Sequence, residues 1–314
     1  MRGGHTGLIF ARKSLTRLEF MPEALLKTAP YRDIINGEGT AIFMKAIYAL
    51  ITALMMTASG YSEQLAQQPS EENYDRITID GTEYSITFDD EFDGNTLDTS
   101  KWELCPEWKR QDYNAYWDDG MTSLDGKGNL VLTMDKKGDT FYSGGIRSKG
   151  LFEQKYGYFE VRCTLNSIPG YWSAFWLMGE TVSNVDDSGR DGTEIDIFES
   201  AYYEKNAVNH GLNWDGYGSD HKGSGHRYSA AGLYEGYHTF ALKWTPNEYV
   251  FYVDGEESWR TSDGGVCQEP LYLKMTTETG SFAGRAPEGT SLPDSVYIDY
   301  IRVYQAEEQV KKYL

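Results

Sequence analysis

Residues 192–200 read GTEIDIFES and place Glu194, Asp196 and Glu199 among Ile195, Ile197 and Phe198. The apolar residues ask for a packed strand, where a carboxylate is costly to desolvate. Side chains on a regular strand alternate, so Glu194 and Asp196 share a face and Glu199, at i+5, falls on the other. One extra residue absorbed as a β-bulge brings Glu199 back to the first face. The spacing therefore predicts a bulge at Ile197–Phe198 and three acids in one cleft. Two carboxyls about 5 Å apart can cleave a glycosidic bond with retention: one attacks, the other donates a proton and later activates water. A third acid between them raises the proton affinity of a neighbour and can hold the nucleophile. The plain alternative for this stretch alone is a solvated, acidic strand edge.

Outward from this segment the chain reads as β. Val296–Tyr304 alternates residue by residue. His238–Thr245 and Tyr249–Val253 flank Pro246-Asn247-Glu248, a hairpin turn. Tyr156–Leu165 is a further strand, as is Asn129–Met134 after the turn Asp125–Gly128. Tyrosine (24) and glycine (33) are abundant and no helical pattern runs for long. Many short strands between glycine-rich turns predict an all-β sandwich or jelly roll, in one domain over residues 77–305.

The first 76 residues read differently. Met44-Lys45 precedes the apolar run Ala46–Ala58, which is followed by Ser59 and Gly60. A positive start, a short apolar segment and small residues describe a secretory signal peptide over 44–60. The run is short for a membrane span, and Tyr61 stands where a lipoprotein anchor needs cysteine. Residues 1–43 are expected to precede the true start at Met44; a cytosolic amphipathic extension is the alternative. Residues 61–76 are expected to be a flexible leader and 306–314 a tail. The expected destination is extracellular or periplasmic. The net charge of −19 repels nucleic acid and anionic membranes. Neither is expected as a partner, and a monomer is expected. Cys105, Cys163 and Cys267 lack metal-type spacing; one disulfide plus a thiol and three thiols both stay open.

Several segments carry a resemblance. Glu194-Ile-Asp-Ile-Phe-Glu199 resembles the E-x-D-x-x-E signature of glycoside hydrolase family 16, in the form with the bulged catalytic strand. Phe88–Gly94 with Lys101-Trp102, Ser143–Ser148, Tyr156–Arg162, Gly170–Leu177, Phe240–Gly255 and Asp299–Tyr304 resemble its other strands, in the family's order. The resemblance implies a concanavalin-like jelly roll of two curved antiparallel sheets with a substrate cleft on the concave face. It implies endo-acting, retaining hydrolysis of β-linked glucans or galactans, with no cofactor needed. It makes Glu194 the nucleophile, Glu199 the acid/base and Asp196 the helper. It also implies a possible structural calcium ion, with Glu91 and Asp299 as the matching acids and oxygen ligands as calcium prefers.

Sugar rings present flat C–H faces that tryptophan covers well. Trp172, Trp176, Trp117 and Trp214 are the cleft candidates; Trp172 and Trp176, four apart, share a face. Each could equally pack the core, as Trp102 and Trp244 are expected to do. His210, near the acids, is a candidate for substrate or acid/base contact or a structural histidine. The loop Asp215–Gly225 is expected to wall one end of the cleft, and Glu278 either reaches it or sits solvated. A laminarin-type or mixed-linkage β-glucan is the first expectation. The alternative is an agarose- or porphyran-type galactan, where Lys109, Arg110, Arg147, Lys149, Arg190, Lys222 or Arg227 could meet a sulfate. A non-catalytic jelly-roll lectin is the reading from another class; it would need the aromatics and no acid set.

Overall fold

The alternation of the C-terminal segment becomes the strand Asp294–Ala306, which buries Val296, Ile298, Ile301 and Val303. One side of it pairs antiparallel with Gly157–Cys163. The other side pairs with Leu130–Lys137 and then Thr82–Asp90. The predicted hairpin forms from His238–Trp244 and Tyr249–Val253 and extends this sheet. These coordinates come from a computed structural model that describes residues 74–106, 109–110, 114–201, 206–283 and 292–306. The expected extension (1–43), signal peptide (44–60), most of the leader and most of the tail lie outside the described residues.

A second sheet carries the acid segment. Its strands run in the order Lys222–Ser229, Ala207–Trp214, Thr193–Ala201, Tyr171–Met178, Leu271–Thr279, Gly145–Arg147, Glu103–Leu104. The two sheets bury one another's apolar faces. Phe159, Phe240, Leu242 and Phe251 of the first meet Phe175, Leu177, Ile195 and Met275 of the second in one cluster. Phe198 and Phe240 touch across the interface, with ring centroids 4.2 Å apart. The result is the expected all-β jelly-roll sandwich. The three cysteines are buried and unbridged.

The strand Thr193–Ala201 departs from regular pairing where the motif required it. Toward Tyr171–Met178, Asp196 opposes Trp176 and Phe198 opposes Phe175, so Ile197 is the additional residue. Toward Ala207–Trp214, Asp196 opposes Gly211 and Glu199 opposes Asn209, so that Ile197 and Phe198 together face the single residue His210. Ile197 and Phe198, consecutive in sequence, are both fully buried. Two neighbours sharing the core face let Glu199 rejoin the face of Glu194 and Asp196.

Phe198→Ala is expected to cost about 3–5 kcal/mol of unfolding free energy, because it empties the core beside Phe240. Tyr297→Ala, at an exposed position, should change stability by about 0.5 kcal/mol or less. Urea unfolding of the two variants checks this, and comparable losses at both positions would contradict the packing described.

Candidate active site

The outer face of the second sheet holds a cleft of about 670 Å³. Glu194, Asp196 and Glu199 all line it, with Trp117, Trp172 and Trp176. Strand alternation explains the set. Trp172, Ala174, Trp176 and Met178 point outward from one strand, while Tyr171, Phe175 and Leu177 enter the core. Lys274 and Glu278 do the same from Leu271–Thr279, so Glu278 does reach the cleft. Both are largely covered, at 7 % and 4 % exposed.

Asp196 is the most covered of the three motif acids, at 5 % exposed. Burial, then the charges of Glu194 and Glu199, push its carboxyl well above the usual range; Asn213 and Lys274 oppose that rise. The Asn213 amide bridges two acids, donating to Glu194 Oε1 at 3.1 Å and to Asp196 Oδ2 at 3.0 Å. The Tyr217 hydroxyl donates to Glu194 Oε2. Although Tyr217 is 56 % exposed, its hydroxyl is turned in to the acids. Burial and the Glu194 charge raise its pKa, which keeps it a donor. The Lys274 ammonium lies 3.7 Å from the ring centre of Trp176 and 4.8 Å from that of Trp117. Each indole also has a fixed hydrogen bond, Trp117 Nε1 to Thr277 O (3.1 Å) and Trp176 Nε1 to Thr276 Oγ1 (3.0 Å).

Two sequence candidates lie elsewhere. His210 and Trp214 share parity with Leu212, and that face of Ala207–Trp214 enters the core; Asn209, Gly211 and Asn213 take the cleft side. Trp214 packs against Gly264 and is no sugar platform. His210, 1 % exposed, sits behind the acids. Its Nδ1 lies 2.6 Å from the carbonyl oxygen of Ile197, the additional residue of the bulge, and its Nε2 lies 2.8 Å from Ser258 Oγ. A carbonyl only accepts, so Nδ1 carries the proton and Nε2 accepts from Ser258. Burial pushes the ring's pKa down to about 4, so it stays neutral in this role.

The calcium expectation also fails a fit test. Arg302 grips Glu91 with two hydrogen bonds, 2.7 and 2.8 Å, and Arg162 pairs with Asp299. Among the described residues no group of three His, Cys, Asp or Glu is arranged to hold a metal ion. Of the basic residues considered for sulfate, Arg147, Lys149, Arg190 and Lys222 are paired with Glu103, Glu180, Asp187 and Asp215. The side chains of Lys109 and Arg110 lie outside those described, and Arg147, Lys149, Arg190, Lys222 and Arg227 do not line the cleft; Lys274, which sequence reasoning missed, does. Tyr217 and Asn213 were missed as well. Asn213 shares parity with Asn209 and Gly211, a signal once the face of Gly211 is known. A loop tyrosine leaves no such periodic trace.

Two pH effects follow. The unfolded chain releases the Asp196 proton at about the ordinary value of 3.8, while the folded state holds it to higher pH. Stability is therefore lost as pH rises above that value. Asp196→Asn should raise the melting temperature at pH 7, with the gain vanishing below pH 4. His210 acts in the opposite sense. Its depressed pKa gives stability that is present above about 6.5 and lost as pH falls toward about 4. His210→Gln should flatten the stability profile over that window. Melting curves of wild type and both variants from pH 3.5 to 8 test each statement.

Comparison with known proteins bears on the fold and the family. Residues 84–306 match the family model described as Beta-porphyranase A-D, GH16 domain. The chain is 31 % identical over 247 residues to a keratan-sulfate endo-1,4-beta-galactosidase of Sphingobacterium multivorum, covering 73 % of this chain and 57 % of that protein. It is 29 % identical to Beta-porphyranase E of Zobellia galactanivorans, covering 69 % of this chain and 86 % of that protein. A laminarinase from Flavobacterium sp. UMI-01 superposes with a TM-score of 0.60 at 27 % identity, over 70 % of this chain and 100 % of that one. The chain spans less than two thirds of several curated relatives that it matches. With one family model running from the first sheet's Thr82–Asp90 strand to the last strand, the chain belongs to glycoside hydrolase family 16.

Proposed function

We propose that this protein is a secreted, endo-acting, retaining glycoside hydrolase whose substrate is a β-linked galactan. The observation that carries the hydrolase reading is the convergence of Glu194, Asp196 and Glu199, through the bulge, on a tryptophan-lined cleft. A lectin has no use for three clustered carboxyls, of which Asp196 is buried at a cost in stability. Endo action is supported by family membership and by relatives named as endo-glycanases. Retention is supported by two glutamates on one face of one strand, which suits the gap of about 5 Å better than the wider one an inverting enzyme leaves for water.

In this mechanism Glu194, held by Tyr217 and Asn213 as an ionised acceptor, attacks the anomeric carbon. Glu199 gives its proton to the departing glycosidic oxygen, then takes one from the water that releases the glycosyl-enzyme ester. Asp196 lies between them with a high proton affinity, placed to share a proton as charge moves from one glutamate to the other. Trp117, Trp172 and Trp176 provide the sugar-stacking surfaces.

Galactan is preferred to the glucan that the sequence suggested first, because the family model and one relative are named as beta-porphyranases and another relative as an endo-1,4-beta-galactosidase. Glucan is the second reading, supported by the likeness to a laminarinase. Secretion is supported by the signal-like run at 44–60, and N-terminal sequencing of the native protein tests it.

The test is reducing-end release from porphyran, agarose, keratan sulfate, laminarin and mixed-linkage β-glucan. Wild type should cut a galactan fastest, with early loss of viscosity and retained anomeric configuration. Glu194→Gln and Glu199→Gln should each lower kcat by about a thousandfold or more on the polymer. Polymer binding without cleavage by the wild type would return the protein to the lectin class; fastest cleavage of laminarin would favour glucan.

A further inference from the structure

Both oxygens of the Glu194 carboxylate are met by donors from one short segment outside the acid motif. Asn213 Nδ2 reaches Oε1 and the Tyr217 hydroxyl reaches Oε2. An amide such as Asn213 can turn over and present its oxygen to the acids, which would repel them. His221 is placed to hold the amide as found. Its Nε2 lies 3.0 Å from Asn213 Oδ1, and an amide oxygen only accepts, so in this arrangement Nε2 donates and the amide NH₂ faces the carboxylates. The same imidazole stacks on Tyr217, with ring centroids 6.2 Å apart and planes 25° from parallel.

The loop that carries these residues is itself anchored. Gly216 N–H donates to Val182 O at 2.8 Å, and Lys222 pairs with the buried Asp215 at 2.6 Å. Asp215 and Gly216 both take positive φ, 60° and 73°, which turns the chain sharply so that Tyr217 doubles back over the acids. Its hydroxyl also lies 3.5 Å from Met178 Sδ on the neighbouring wall.

We propose that Tyr217 and His221 are positioning residues for Glu194: Tyr217 holds the carboxylate directly, and His221 fixes both Asn213 and the Tyr217 ring. The proposal rests on the nucleophile role given to Glu194 above. It accounts for how this carboxyl is held in one orientation within an acidic cleft. Asp196 lies beside it on the same strand and Glu199 beyond. Glu278 and Lys274 face the cleft from Leu271–Thr279, and Tyr217 and His221 come from the loop. The acids favour protonation of Glu194, and donated hydrogen bonds favour the charged form.

Tyr217→Phe removes the hydroxyl alone. Carboxyl ¹³C NMR, with the Glu194 signal assigned by its loss in Glu194→Gln, should show the Glu194 midpoint rising by about one pH unit. The acidic limb of kcat/KM, measured on porphyran or, if the wild type cuts it faster, on laminarin, should move up by the same amount. There kcat should fall roughly tenfold with KM within about twofold. His221→Ala should shift both in the same direction by less, and His221→Gln, which restores an N–H donor, should reverse part of the shift. An unchanged midpoint and limb in Tyr217→Phe would overturn the role of Tyr217; an unchanged His221→Ala would overturn that of His221. The NMR titration needs no substrate, so a wild type inactive on every polymer would sink the hydrolase reading while this one is still decided.

Discussion

The site depends on one backbone irregularity, the bulge at Ile197–Phe198. Without it, the five-residue step from Glu194 to Glu199 would turn the second glutamate into the sandwich interior. A bulge leaves a backbone group out of the ladder, and a buried carbonyl without a donor costs about as much as a lost hydrogen bond. His210 supplies that donor to Ile197 O and is held in turn by Ser258. Phe198, lodged against Phe240, anchors the bulge from the core side. Catalytic geometry on one face of the sheet is thus fixed by packing and a hydrogen bond on the other.

The second constraint is electrostatic. Among the described residues, Glu194, Asp196, Glu199 and Glu278 share one cleft with a single cation, Lys274. Like charges brought together out of water oppose ionisation. The protein answers with donors aimed at particular oxygens, from Asn213 and Tyr217, and with an ammonium seated on two indole faces. These groups do not cancel the strain. Asp196 keeps a raised proton affinity, the kind of local instability expected where chemistry is done.

Much of this was legible in the sequence, for definite reasons. Alternation with period two gave the strands, and an odd spacing between acids gave the bulge, because side-chain direction on a strand is a matter of counting. Trp117, Trp172 and Trp176 line the cleft. His210 and Trp214 do not, although the same counting applies. Their segment was identified, but which parity faced the core depends on cross-strand register, and that is set by the bulge and by the partner strands. The carboxylates of Glu91 and Asp299 looked like oxygen ligands until the arginines beside them, Arg302 and Arg162, came into view. Lys274 and Tyr217 act through tertiary placement and leave no local pattern.

Gly211 lies opposite Asp196 on the neighbouring strand. A methyl group there would stand 2.6 Å from Asp196 Oδ2, closer than atoms can approach. The acid at the centre of the motif therefore occupies the space that a neighbour's side chain would have taken. Tolerance to mutation in this region is governed by a position that contributes no functional group. An engineer who randomised only the residues that touch the polymer would leave this restriction on the site undiscovered.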